Sequence, residues 1–191
     1  LVVDDEVKNI QVVGSLLLKH GHEVIAALSG KEALEKLSNA HPDIILLDVM
    51  MPGMTGFELC RKLRENPETR DIPVLFLSAA ADKNFVVEAL DAGAVDYITK
   101  PFHGPELISR VDLHVSRRKT HLQLAQVIRE KNRLLEIVAH DLKNPLSGIQ
   151  FAATILGENP NLPEGSRNEL VNSIGESARR AFEILSGLLE T

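Results

Sequence analysis

The sequence predicts an α/β doubly wound, five-stranded parallel sheet followed by an all-α helical hairpin. Three observations predict it. Five short apolar runs alternate with amphipathic stretches over residues 1–103, the pattern of a parallel sheet covered by helices on both faces. Asp43-Ile44-Ile45-Leu46-Leu47 is apolar almost throughout, as suits a strand buried on both faces. From residue 106 to residue 144 neither Pro nor Gly interrupts the chain, and apolar residues recur at helical spacing.

Taken in order, Leu1-Val2-Val3 ends a first strand. Residues 7–20 form a helix with Ile10, Val13 and Leu17 inward and Leu18 at the margin of that face. Residues 23–28 are the second strand and 31–39 a helix with Ala33, Leu34 and Leu37 apolar. The third strand is 43–47, followed by a helix at 56–64, a strand at 73–77, a helix at 83–91 and a strand at 94–98. Right-handed crossovers leave few topologies for such a sheet, and its site lies at the carboxyl ends of the strands. Asp4 and Asp5 follow the first strand, Asp48 ends the third, Ser78 ends the fourth and Lys100 follows the fifth. Three carboxylates, a hydroxyl and an amine thus converge on one edge. Clustered carboxylates repel unless a cation sits among them, and oxygen-only ligands at an open site suit Mg²⁺.

His103-Gly104-Pro105-Glu106 starts a helix, with Pro105 in its first turn. Residues 1–118 make the first domain, 105–121 a helical joint continuous with its last helix, and 122–191 the hairpin. On one heptad frame the seam reads Leu107, Val111, His114, Arg118, His121, Ala125, Ile128, Asn132, Leu135, Ala139, Leu142, Leu146 and Ile149. It is apolar at both ends and polar around 114–121, which fits either a paired helix with a weak middle, in which Asn132 would set register, or a helix simply exposed there. Arg117-Arg118-Lys119 reads as a solvated helix face. Residues 157–165 turn the chain, and Ser166 with Glu169 offers a capping box for a second helix. That helix carries Leu170, Ile174, Ala178, Ala181, Leu185 and Leu188 on one stripe. One hairpin cannot bury such stripes alone, whereas two form a four-helix bundle, so a homodimer through 122–191 is expected. His140 lies one step round from the seam and points to water. A neutral imidazole is a nucleophile, and the adjacent Asp141 can orient it and take its proton. Pro145 follows within the helix, where it removes a backbone hydrogen bond.

Of 191 residues 44% are hydrophobic and only 4% aromatic, enough for an aliphatic core. No apolar run of about 18 residues exists, so no membrane span is expected. The net charge is −6. Residues 105–191 carry eleven basic and eleven acidic side chains, so they lack the basic surface that nucleic acid requires. The single cysteine, Cys60, cannot form an internal disulfide and is expected to lie against a helix. A cytoplasmic location fits. The seven histidines match no zinc spacing. The chain starts at Leu1 rather than Met, as though trimmed at the front.

Four stretches carry a resemblance to the receiver domain of response regulators over about residues 1–118: Val2-Val3-Asp4-Asp5-Glu6, Leu47 through Gly56, Leu77-Ser78-Ala79-Ala80, and Tyr97-Ile98-Thr99-Lys100-Pro101-Phe102. The resemblance implies a flavodoxin-like sheet. It implies that Asp48 receives a phosphoryl group, that Asp5, Asp48 and the Met50 backbone carbonyl bind Mg²⁺, and that Asp4 holds metal-bound water. Lys100 would pair with the phosphoryl oxygens, the Lys100–Pro101 bond would be cis, and Ser78 and Tyr97 would form a switch pair. His140-Asp141-Leu142-Lys143-Asn144-Pro145 resembles the phosphoacceptor box of sensor histidine kinases, over about residues 122–191. This implies a dimerisation and histidine phosphotransfer hairpin in which His140 takes the γ-phosphoryl of ATP, Asp141 acts as base and Asn144 aids the phosphatase reaction. Together they resemble a hybrid histidine kinase regulated by its own receiver. Its partners would be an ATP-binding catalytic domain not in this chain and a cognate response regulator. A response regulator with a helical docking output, or a standalone His–Asp phosphotransferase, are the alternatives.

Overall fold

The computed structural model describes residues 1–79 and 83–189. Ala80 of the fourth-strand motif therefore lies outside the described residues, as does the side chain of Leu188. The chain divides into two compact units, Leu1–Gln123 and Leu124–Thr191.

In the first unit β1 (Val2–Val3), α1 (Val7–Lys19), β2 (Ala26–Ala27), α2 (Gly30–Leu37), β3 (Ile45–Asp48), α3 (Gly56–Glu65), β4 (Val74–Ser78), α4 (Lys83–Asp91) and β5 (Asp96–Thr99) alternate, and α5 begins at Gly104. All five strands are parallel, in the order β2-β1-β3-β4-β5. Side chains alternate along each strand. Val3, Ile45, Leu47, Val74 and Phe76 join one core with Ala33 of α2, Leu59 and Leu63 of α3 and Ala89 of α4. Val2, Leu46, Leu75, Leu77 and Ile98 join another with Val13 and Leu17 of α1 and Leu107 and Val111 of α5. Each such aliphatic side chain contributes about 1.5–3 kcal/mol when removed from water. Phe57 meets Phe76 edge to face, ring centres 5.0 Å apart. Cys60 is buried on α3, its thiol donating to Ala92 O at 3.2 Å.

The second strand is shorter than the 23–28 expected. β2 pairs only with β1, and β1 offers only Val2 and Val3 to pair with, so the ladder covers Ala26 and Ala27 alone. Leu18 is 62% exposed, so the last turn of α1 shows it to solvent. The helix starts that matter for the sheet edge are capped. Ser29 Oγ accepts from Glu32 N at the start of α2. Thr55 and Glu58 form a reciprocal capping box at α3, a device that stabilises a helix by about 1 kcal/mol. A Cβ on Gly56 would stand 2.2 Å from Asp48 O. Only glycine lets the first turn of α3 come this close to the end of β3.

The polar middle of the proposed seam is used by the first unit. Arg110 Nη1 donates to both Asp96 oxygens at 2.8 Å, and His114 Nε2 lies 3.2 Å from Asp96 Oδ2. His114 is buried, and Arg118, half-buried rather than solvated, donates to Asp71 O. These residues are polar because a strand end and a loop supply their partners, not because they weaken a helix pair.

α5 runs unbroken through Gly104–Glu158 with Pro145 inside it, and α6 covers Glu164–Leu189. The capping box expected from Ser166 and Glu169 does not start α6. The helix begins two residues earlier, with Pro163 O accepting from Arg167 N at 3.0 Å, and Ser166 lies within the first turn. In the second unit Ala152 and Ala181 are the buried apolar residues among those described, while Leu135, Leu146, Phe151 and Phe182 are 54–71% exposed. Gly148 approaches Ser177 of α6, to which an added Cβ would lie 3.2 Å from Oγ. Among the described residues no helix is long and apolar enough to cross a membrane.

Candidate functional site

Two candidate groups, a buried aspartate and an exposed histidine, stand in very different surroundings. The first is at the carboxyl edge of the sheet. β1, β3 and β4 end side by side because Val3 is in register with Leu47 and Asp48 with Leu77. Asp4, Asp48 and Ser78 are therefore held on one rim, and all three are buried. The cis Lys100–Pro101 peptide follows β5, and Lys100 N donates to Ser78 O at 2.7 Å. Lys100 Nζ then donates to Asp4 Oδ2 at 2.7 Å and Asp48 Oδ1 at 2.6 Å. Met50 N donates to Asp48 Oδ2 at 2.9 Å, while the Met50 side chain is exposed.

The charges do not balance on this rim. Burial pushes the Asp48 carboxyl above its ordinary pKa; Lys100 pulls the other way and the charge of Asp4 adds to the rise. Burial alone would lower the Lys100 ammonium, but its bonds to Asp4 and Asp48 outweigh it and hold the pKa above the ordinary lysine value. The Lys100 ammonium thus serves two buried carboxylates. Asp5 is exposed beside them, and Tyr97 is exposed on β5. No three His, Cys, Asp or Glu side chains among the described residues stand together ready to hold a metal ion.

Two residues at this rim were not singled out from the sequence. Asn9 of α1 donates from Nδ2 to Asp4 Oδ1 at 2.9 Å and Oδ2 at 3.1 Å. Gly56 is the other. The signal for Asn9 was its place one helical turn beyond the acidic pair; for Gly56 it was the Thr-Gly step before an amphipathic stretch.

The second group is His140 on α5. Its side chain is 74% exposed, and Nδ1 lies 3.1 Å from Asp141 Oδ1. Asn144 is exposed one turn on. A proton on Nδ1 facing Asp141 leaves Nε2 with its lone pair directed to solvent.

A buried aspartate bridged by a lysine at the edge of a five-stranded parallel sheet is the class of site found here. The chain belongs to the response regulator receiver domain family, whose model matches residues 1–112. Behind it, residues 130–191 match the His Kinase A (phospho-acceptor) domain. Receiver and phosphoacceptor histidine region together place the chain in two-component signal transduction. It is 44% identical over 111 residues to the response regulator PleD of Caulobacter vibrioides, covering 58% of this chain and 24% of that one. It is 42% identical over 118 residues to the phosphate regulon transcriptional regulatory protein PhoB of Rhizobium meliloti, covering 62% of this chain and 52% of that one. The chain thus spans about a quarter to a half of the length of these curated relatives. Among solved structures, the signal receiver domain of a signal transduction histidine kinase from Syntrophus aciditrophicus is similar, at 37% identity and a TM-score of 0.57. That match covers 60% of this chain and 87% of that one.

Proposed function

We propose that this chain is the receiver and phosphoacceptor portion of a hybrid histidine kinase, in which a phosphoryl group passes from ATP to His140 and then to an aspartate. The observation that carries the reading is the pairing, on one polypeptide, of a lysine-bridged buried Asp48 with an exposed His140 braced by Asp141. ATP would be held by a catalytic domain outside this chain. Nε2 of His140 attacks the γ-phosphorus, ADP leaves, and Asp141 takes up the imidazole proton. An oxygen of Asp48, or of the aspartate of a separate response regulator, then attacks the phosphorus of the phosphohistidine, the bond from phosphorus to Nε2 breaks, and Asp141 returns the proton to Nδ1 so that His140 leaves as neutral imidazole. Asn144 would position water in the reverse, hydrolytic reaction. Because ATP is the donor, the reading places the chemistry in the cytoplasm.

At the receiver the protein must make attack by one anion on another tolerable. Lys100 supplies an ammonium, and the Met50 amide fixes the Asp48 carboxylate. The donors on this rim are all oxygens and their charge exceeds that of Lys100, which fits a hard divalent cation such as Mg²⁺. Asp5, Asp48 and the Met50 carbonyl would hold it, and Asp4 a water upon it. When bound it neutralises charge on the transferring group. The Ser78 hydroxyl would donate to the phosphoryl oxygens, with Tyr97 turning inward in response.

The exposed apolar stripe of the second unit supports a homodimer in which two hairpins form a four-helix bundle. The continuity of α5 from Gly104 to Glu158 supports regulation along the 105–121 joint. A helix turns about 100° per residue, so one residue inserted near Thr120 should uncouple Asp48 from His140, while seven should spare the coupling. Equal effects of the two insertions would dismiss that route. The function itself is tested by incubating the chain with a histidine-kinase ATP-binding domain, Mg²⁺ and labelled ATP. Label stable to alkali and labile to acid should appear on the chain and vanish in His140→Gln. Absence of such label from the unaltered chain overturns the reading.

A further inference from the structure

Asp4 is 1% exposed, and four hydrogen bonds reach its carboxylate. Oδ1 accepts from Glu6 N and Asn9 Nδ2, both at 2.9 Å. Oδ2 accepts from Asn9 Nδ2 at 3.1 Å and from Lys100 Nζ at 2.7 Å. An ionised carboxylate out of water depends on such donors. Asp4 therefore competes with Asp48 for the Lys100 ammonium, and how firmly it holds Lys100 depends on what else donates to it. Asn9 is the only side chain besides Lys100 with a described bond to Asp4. Asparagine is a poor helix former, yet it stands in the first turn of α1 with its amide turned to Asp4.

We propose that Asn9 is a positioning residue for phosphoryl transfer to Asp48: by donating to both oxygens of Asp4, its amide lets Lys100 shift from Asp4 to the incoming phosphoryl oxygens. The inference rests on the reading of Asp48 as the acceptor. With an acyl phosphate as donor the step balances without a proton. An Asp48 oxygen forms a bond to phosphorus, the bond from phosphorus to the donor oxygen breaks, and acetate leaves with the electron pair. During it Lys100 moves toward the transferred group, and Asp4 retains three hydrogen bonds, two of them from Asn9. Without Asn9 it would retain one, from Glu6 N, and hold Lys100 back.

The test uses the full chain, acetyl phosphate and saturating Mg²⁺, and follows acyl phosphate formed on Asp48. Asn9→Ala should slow its formation about tenfold, the scale of a hydrogen bond to a charged group. Alanine is the better helix former, so α1 itself is not weakened. A role confined to holding α1 in place would lower the rate whatever stands at position 4. Acting through Asp4, the substitution should change the rate less than twofold in an Asp4→Asn background. Asn9→Ser, read in the same cycle with a loss of about threefold expected, keeps the test decisive if Asn9→Ala melts early. A rate within twofold of the unaltered chain, or an equal loss in both backgrounds, overturns the inference and leaves the reading of Asp48 standing. No acyl phosphate on the unaltered chain, or undiminished acyl phosphate in Asp48→Ala, sinks both.

Discussion

Asp48 and His140 stand in opposite circumstances. Asp48 is 7% exposed, set between two cores, and its oxygens already meet an ammonium and a backbone amide. His140 is 74% exposed, with one described partner, on a unit whose buried residues among those described are Ala152 and Ala181. A carboxylate is a weak nucleophile toward an anionic phosphoryl group, so its surroundings must be built in advance. An imidazole needs only the right proton on the right nitrogen and room for a donor to approach. Charged and hydrogen-bonding groups thus surround Asp48 within the first unit, whereas the described residues place only Asp141 against His140.

Four experiments break or sharpen that contrast. The largest effect is expected from removing each acceptor in turn. With acetyl phosphate as the donor to Asp48, and ATP with a histidine-kinase ATP-binding domain as the donor to His140, Asp48→Asn should lower acyl phosphate formation roughly a thousandfold or more while leaving label on His140, and His140→Gln should do the converse. Loss of both labels in either variant would show that the two environments are not independent. Next, Leu146 is 54% exposed in one copy. If the hairpin is completed by a second copy, Leu146→Glu should weaken association about a hundredfold or more, since the substitution falls twice in a dimer; sedimentation over a concentration series reads this. Third, Gly56→Ala forces a Cβ to within 2.2 Å of Asp48 O. Overpacking of this kind costs about 3 kcal/mol, which should lower the melting of the first unit by roughly 10 °C without changing the helical signal of the second.

The smallest effect concerns Asp96. Burial works to raise its pKa, but bonds from Arg110, His114 and Tyr97 N outweigh burial and hold it below the ordinary aspartate value. A depressed carboxylate stabilises the folded state above its unfolded pKa, and that contribution is lost as pH falls through the folded value. Asp96→Asn should therefore lower the melting temperature by roughly 4 °C at pH 7, because solvent screens the partly exposed Arg110. The gap should narrow as pH falls below the ordinary aspartate pKa and close once it has passed the lower folded one. A gap that persists in acid would mean that shape, not charge, fastens β5 to α5.

Much of the first unit could be read from residue order. The strand sequence, the convergence of Asp4, Asp48 and Lys100 and the cis Lys100–Pro101 bond are features the sequence predicts and the structure contains. What escaped depended on partners distant in sequence. The polarity of His114 and Arg118 looked like a weak helical seam because Asp96 and Asp71 are not visible on a heptad frame. Asn9 was not singled out, because only the placement of α1 brings its amide to Asp4. Ser166 and Glu169 had the right spacing for a cap, yet the chain turns helical at Glu164. In the hairpin, period alone revealed two helices, because few long-range contacts within one copy constrain them.

Pro145 lies in the middle of α5. Its ring carries no amide hydrogen, so the carbonyl of Asp141, four residues back, loses the donor that every other turn of a helix provides. The backbone just beyond His140 is then the place where α5 opens most readily to solvent. Amide hydrogens of residues 142–149 should exchange faster than those of 125–138. A local breathing motion would thus be written into the rod at the very turn where the imidazole has to meet its donor.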